Sequence, residues 1–262
     1  MRPGLAKNSG VFDPLDVPSL AVIAVIFVAT LIRSAFGFGE ALVAVPLLAL
    51  LIPIEVATPL AVLYSITVAA VVVLQDWHKI HVDSAWRLVL STFCGIPLGL
   101  VLLMAVPEAL VKVTLGVVII VFSAYCLAGS GHMQLKTDRS AWLFGFAAGV
   151  LGGAYGMNGP PLVVYGALRR WSPEHFRATL QGYFLPASLV GMAGYWLAGL
   201  WVPAVTRYYL ICLLPAVAAI FLGRAINQRL KGRSFVVYLH IGLILIGVTL
   251  LLQTVWQSTR TG

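Results

Sequence analysis

Long apolar runs separated by short polar joints cover almost the whole chain, and the pattern predicts ten helical segments. Five fall at about 17–36, 40–52, 54–75, 85–105 and 108–129, and five more at about 141–156, 160–169, 174–198, 203–223 and 234–256. Several runs reach the ~20 residues a helix needs to cross a hydrocarbon core. The runs are continuous rather than alternating, which selects helices over a β-barrel. The polar stretch Ser130 to Ser140 joins the two sets of five. The expected organisation is an extracytoplasmic segment 1–16, a first repeat 17–129, an inter-repeat loop 130–140, a second repeat 141–256 and a tail 257–262. Asp13, Asp16 and two prolines precede the first apolar run, which outlasts a signal-peptide core and is expected to stay as a membrane helix.

Two of the runs, 40–52 and 160–169, are too short to span. A ten-residue helix covers ~15 Å, half of a ~30 Å core. Each follows a glycine-rich break, Gly37-Phe38-Gly39 in one case and Gly156-Met157-Asn158-Gly159 in the other. The breaks are related. Gly39, Leu42, Val43 and Pro53 recur as Gly159, Leu162, Val163 and Pro173, each 120 positions later, and Ala57-Thr58 recurs as Ala178-Thr179. Interrupted helices at matching places in two halves point to the substrate site of a secondary transporter.

Charge placement favours treating each short segment as a separate pass or the return arm of a hairpin. Eleven basic residues, from Lys79 to Arg233, then share one face, against Arg2, Lys7, Lys112, Arg207 and Arg260 on the other. Merging each broken pair into one kinked span splits the same residues eight to eight, and cytoplasmic loops carry an excess of Lys and Arg. An odd number of crossings per repeat inverts the second half and puts both termini outside the cytoplasm. The fold expected is therefore an all-α polytopic membrane protein of two inverted five-segment repeats. Each repeat carries a broken-helix or re-entrant hairpin, and the two meet near the midplane of the cell inner membrane.

Composition agrees: 60% of the 262 residues are hydrophobic and only 10% are charged, where a soluble domain carries roughly 25%. The net charge of +8 follows from basic loops, and no basic run interleaved with aromatics suggests nucleic acid. Cys94, Cys126 and Cys212 lie scattered in apolar runs as packing residues.

The breaks suggest their own chemistry. Each is followed by a helix start, at Glu40 and at Pro160, and a helix N-terminus offers free N–H groups and a partial positive charge to an anion. Two such ends converging would cradle an anion between Gly37, Phe38, Gly39 and Gly156, Met157, Asn158, Gly159, Pro160. The plainer alternative is that the glycines only let helices pack closely. Arg33 and Glu40 flank the first break, and ionisable residues inside membrane segments are costly and usually functional. Arg33 would add charge for the anion, and Glu40 would carry a proton. Alternatively the two form an ion pair that fixes the hairpin, or Arg33 snorkels. Asn158 would hydrogen-bond an oxyanion or cap the following helix. Thr58 and Thr179 would contact substrate or bond their own helix backbones. Gln181, like Tyr64, Tyr165 and Tyr183, would line the pathway or pack.

Other polar positions carry less. Ser172-Pro173-Glu174 reads as a helix start, placing His175 and Arg177 at the cytoplasmic surface. His78 and His81 with Asp76 and Asp83 resemble a metal set, yet such a mix is ordinary in a loop at the basic face. His240 reads as a helix–helix hydrogen bond.

The motifs resemble those of the TauE/SafE family, the sulfite-exporter-type or toluene-sulfonate uptake permeases. Gly37-Phe38-Gly39 with Leu42-Val43-Ala44-Val45-Pro46-Leu47-Leu48 is similar to the family's first glycine turn and apolar stretch. Gly152-Gly153-Ala154-Tyr155-Gly156-Met157-Asn158-Gly159-Pro160-Pro161-Leu162 is similar to the second, in a branch with Asn-Gly-Pro-Pro. Glu40 departs from a purely glycine-rich first turn. The resemblance implies export or uptake of small sulfur oxyanions or organosulfonates, such as sulfite or sulfoacetate, driven by an ion gradient. The paired broken helices favour a carrier embedded in lipid, and no convergent acid, base or metal set suggests an enzyme or a cofactor. An anion channel or a divalent metal-ion exporter is the alternative, and the sequence leaves monomer and homodimer open.

Overall fold

The computed structural model describes residues 17–37, 39–76, 82–128, 135, 137–171, 173–229, 241, 243–254 and 256. These form α1 (Val17–Phe36), α2 (Glu40–Ala49), α3 (Ile54–Asp76), α4 (Val82–Ala105) and α5 (Glu108–Ala128). After a single 3-10 turn at Asp138–Ser140 come α6 (Ala141–Tyr155), α7 (Gly159–Leu168), α8 (Pro173–Leu197) and α9 (Pro203–Arg229). A last helix, α10, covers Leu243–Thr254. No strand occurs among the described residues. Four stretches, Ile54–Val71, Trp86–Ala105, Glu108–Ala128 and Pro203–Ile226, are long and apolar enough to cross a membrane. The chain is an all-α polytopic membrane protein.

Prolines set several helix starts, where a missing N–H costs nothing. The Pro53 carbonyl accepts from the N–H groups of Val56 and Ala57 and opens α3, and Pro107 does the same for Leu110 and Val111 at α5. Burial follows the helical period. On α5 the buried positions Val111, Leu115, Ile119, Phe122 and Ser123 form one stripe, while Leu110, Val117 and Val121 on the other face are exposed, as a lipid-facing helix requires. By contrast α2 is enclosed nearly all round, with Leu42, Val43, Ala44, Val45, Leu48 and Ala49 all buried.

The two halves interlock. α4 packs along α6, α9 packs along α1, and α3 packs on α8. Exchanging α1 with α6, α3 with α8 and α4 with α9 carries each of these pairs onto another or onto itself. The contacts of α4 with α8 and of α9 with α3 obey the same exchange. Each half thus lends its fourth helix to the first helix of the other.

Glycine makes the α4–α6 contact possible. A Cβ on Gly95 would strike the Phe146 carbonyl, one on Gly99 the Val150 carbonyl, and one on Gly149 the Thr92 carbonyl, all of them backbone atoms. Gly145 and Gly153 are equally closed, by Ser91 and by the Ile96 carbonyl. In lipid, where helices gain little from apolar contact alone, such close backbone approach supplies the packing attraction.

Candidate functional site

The local geometry of the two breaks follows from their glycines. Gly37 ends α1 at φ 83° and Gly39 precedes α2 at φ 97°, backbone that residues with a Cβ adopt only at a cost. Gly156 ends α6 at φ 65°. Its N–H donates to the Gly152 carbonyl at 2.8 Å and the next N–H, of Met157, to the Leu151 carbonyl at 3.2 Å. The Gly156 bond to Gly152 is the simple αL closure of a helix end. α7 then begins at Gly159 with proline in its first turn.

Although far apart in sequence, the breaks share one cavity. Gly39, Glu40, Ala41 and Leu42 line it from the first, and Gly156, Met157, Asn158, Gly159 and Pro160 from the second, with Arg33, Ser65, Phe122 and Phe184 completing the wall. It is narrow, with about 20 Å³ open to the centres of water-sized molecules, room for one or two waters.

Arg33 and Glu40 are the charged residues among these, and both are buried. Arg33 Nε lies 3.6 Å from Glu40 Oε2, and the Thr30 hydroxyl donates to Glu40 Oε1 at 3.1 Å. Arg33 Nη1 donates to Ser65 Oγ at 3.2 Å, and Ser65 Oγ lies 3.1 Å from Ser188 Oγ. The Arg33 guanidinium also lies 4.6 Å from the centre of the Phe184 ring, within cation–π range. The pair is therefore real and enclosed. Arg33 does not snorkel. Glu40 Oε2 has no hydrogen bond among the described residues.

Asn158 sits at the N-cap position of α7 without a side-chain cap bond, so the capping alternative is not what the side chain does. Its Nδ2 donates instead to the Tyr183 hydroxyl at 3.3 Å. Thr58 and Thr179 are fully buried, and their hydroxyls have no partner among the described residues. The backbone bonds that sequence reasoning offered as their plainer role are not made. Thr58 lies beside the second break, its carbonyl 3.5 Å and its methyl 3.6 Å from where a Cβ on Gly156 would stand.

Of the other polar positions, Tyr64 donates to the Tyr209 carbonyl at 2.6 Å and Tyr165 packs edge-on to Trp171, so both serve packing. Phe38, His78, His81, Ser172 and His240 lie outside the described residues, as do the side chains of His175, Arg177 and Gln181. Sequence reasoning missed Thr30, Ser65, Thr92, Phe184 and Ser188. The hydroxyl residues among them had a signal, being polar positions inside apolar runs. Phe184 had none.

The arrangement, two broken helices converging on a buried charge pair, has a match among protein families. The model of the Sulfite exporter TauE/SafE family matches residues 22–250. The chain belongs to this family. The match runs from within α1 into α10 and includes both breaks. Neither the curated proteins nor the solved structures yield a match. TauE/SafE membership makes the chain a multi-pass membrane protein of a transporter family.

Proposed function

We propose that this TauE/SafE protein is a secondary transporter that moves small anions, sulfur oxyanions or organosulfonates, across the cytoplasmic membrane by alternating access. The observation that carries the reading is the convergence of both glycine breaks on one buried cavity holding Arg33 and Glu40. A guanidinium in the wall favours an anion over a divalent metal ion. The narrowness of the cavity favours a carrier over an open channel, because an oxyanion enters only as the surrounding helices part. The exchange relation among the helix contacts supports two related repeats, inverted and with both termini extracytoplasmic as the basic residues suggest.

In this reading the anion lies between residues 37–40 and 156–160. It takes N–H groups from the starts of α2 and α7, the Asn158 amide, and the orphaned hydroxyls of Thr58 and Thr179. Glu40 supplies the coupling. While it is ionised, its charge cancels that of Arg33 and an anion would be buried uncompensated, at a cost of several kcal/mol. A proton on Glu40 releases Arg33, and the incoming anion restores neutrality. Anion and proton then move together.

The test is a thermal-shift screen of the detergent-purified protein against sulfite, sulfate, thiosulfate, sulfoacetate, taurine, carboxylates and divalent metals. A ligand selective for the folded state stabilises it by RT ln(1 + [L]/Kd). Stabilisation by a sulfur oxyanion or sulfonate is expected, and stabilisation by divalent cations alone overturns the reading.

A further inference from the structure

The second break is held by a hydrogen-bond chain whose direction can be worked out by counting protons. The Thr92 hydroxyl donates to the Gly145 carbonyl at 2.8 Å. A hydroxyl has one proton, so in its 2.6 Å contact with the Tyr183 hydroxyl Thr92 accepts and Tyr183 donates. With its own proton spent on Thr92, Tyr183 can only accept from Asn158, and the atom facing it must be an amide N–H, in agreement with the 3.3 Å contact from Nδ2. The chain therefore runs Asn158 to Tyr183 to Thr92 to the Gly145 carbonyl, and all three side chains are buried.

The other side of the amide is closed as well. It lies flat against Gly152, occupying the place where a Cβ would stand, with Cγ 2.8 Å and Oδ1 3.0 Å from that point. Gly152 is itself fixed, because the single Tyr195 proton is shared between its carbonyl at 2.6 Å and that of Gly153 at 2.8 Å. Two tyrosines of α8 thus hold the amide and the wall behind it.

We infer that Tyr183, seated on Thr92, is a positioning residue of the anion site: it takes one N–H of Asn158, fixes which way the amide faces and leaves the second N–H for the anion. The inference rests on the proposed anion site. It adds that the affinity contributed by Asn158 depends on a hydroxyl pair that does not line the cavity, rooted where α4 and α6 pack through glycines. Without Tyr183 the amide turns freely and presents carbonyl oxygen as often as N–H, so an anion meets repulsion in half of its orientations.

The experiment measures anion affinity by thermal shift, with sulfite, thiosulfate and sulfoacetate as probes. The full chain is compared with Asn158→Ala, Tyr183→Phe, Thr92→Val, Thr92→Ser and the double variant Asn158→Ala/Tyr183→Phe. Asn158→Ala is expected to weaken binding at least tenfold. Tyr183→Phe and Thr92→Val should each weaken it several-fold, while Thr92→Ser, which keeps the hydroxyl, stays at wild-type affinity. In the double variant Tyr183→Phe should add nothing further, which a general loss of packing would not produce. Thr92→Val provides a second route should Tyr183→Phe fail to fold. Weakening by Asn158→Ala, with Tyr183→Phe or Thr92→Val binding as tightly as wild type, overturns this inference and leaves the anion site standing. Additive losses in the double variant also overturn it. Wild-type affinity in Asn158→Ala, or no anion effect on the wild type, removes the proposed site and this inference with it.

Discussion

Replacing Glu40 by Gln removes the negative member of the buried pair and keeps its shape, including an oxygen that can still accept from Thr30 at the present 3.1 Å. Arg33 keeps Ser65 and the Phe184 ring but loses the opposite charge 3.6 Å away. At an effective dielectric of ~20 that attraction is worth about 4–5 kcal/mol, and breaking one side of a buried pair costs about 3–5 kcal/mol. Without anion, Glu40→Gln should therefore melt on the order of 10 °C below wild type. With anion the order changes. The free guanidinium receives the ligand without waiting for a proton, so the variant should gain more stability from a given concentration of ligand than wild type does.

The pH dependence is the sharper readout. If only protonated Glu40 admits the anion, the wild-type apparent Kd should rise about tenfold per pH unit once Glu40 is mostly ionised, because the binding-competent fraction falls tenfold. In Glu40→Gln it should be flat. A sulfonate such as sulfoacetate is the suitable probe, since its own charge does not change across the neutral range. Thermal shift gives the affinity, and uptake into proteoliposomes with an imposed pH gradient gives the coupling. Equal pH slopes in the two proteins, or a variant that anion does not rescue, would refute the proton-coupling argument.

Gly149→Ala forces a Cβ toward the Thr92 carbonyl and to 2.9 Å from Gly95 Cα; overpacking of this kind costs about 1–3 kcal/mol, read as a lowered melting temperature. Gly156→Ala places a side chain at φ 65°, which costs roughly 1–2 kcal/mol, with Val62 Cγ2 only 2.9 Å away. Because this residue lines the cavity, transport in proteoliposomes should fall more than stability does. Tyr195→Phe removes the hydroxyl shared by the Gly152 and Gly153 carbonyls, while Gly152 keeps the Gly156 N–H, a loss of about 0.5–1.5 kcal/mol. A melting temperature unchanged from wild type would show that this hydroxyl adds nothing to the wall.

Much of the fold was legible because its signals are local. The run Leu42 to Leu48 is apolar on every side and proved enclosed on nearly every side, as expected of a helix with no polar face. The stop at Gly156 and a start beside Pro160, observed one residue earlier at Gly159, were readable locally, since glycine admits the left-handed backbone that ends a helix and proline is preset for a first turn. The side-chain roles were less legible. For Asn158 the plainer alternative to anion binding was a cap, a contact with its own helix, but a tyrosine 25 positions along the chain takes its amide. Thr58 and Thr179 had local backbone partners within reach and use none among the described residues.

The sequence by itself determined that this chain is an all-helical membrane protein of the TauE/SafE family with two matched interruptions. Apolar length, and the backbone demands of glycine and proline, act over a few residues and need no partner to take effect. Only the tertiary structure decided that α4 lies along α6 and α9 along α1, that Arg33 meets Ser65 and Phe184, and that Asn158 is tied through Tyr183 to Thr92. Those contacts join residues brought together by helix packing. Which side chains face each other across a packed pair depends on how closely the two backbones approach, and that is a property of both helices at once.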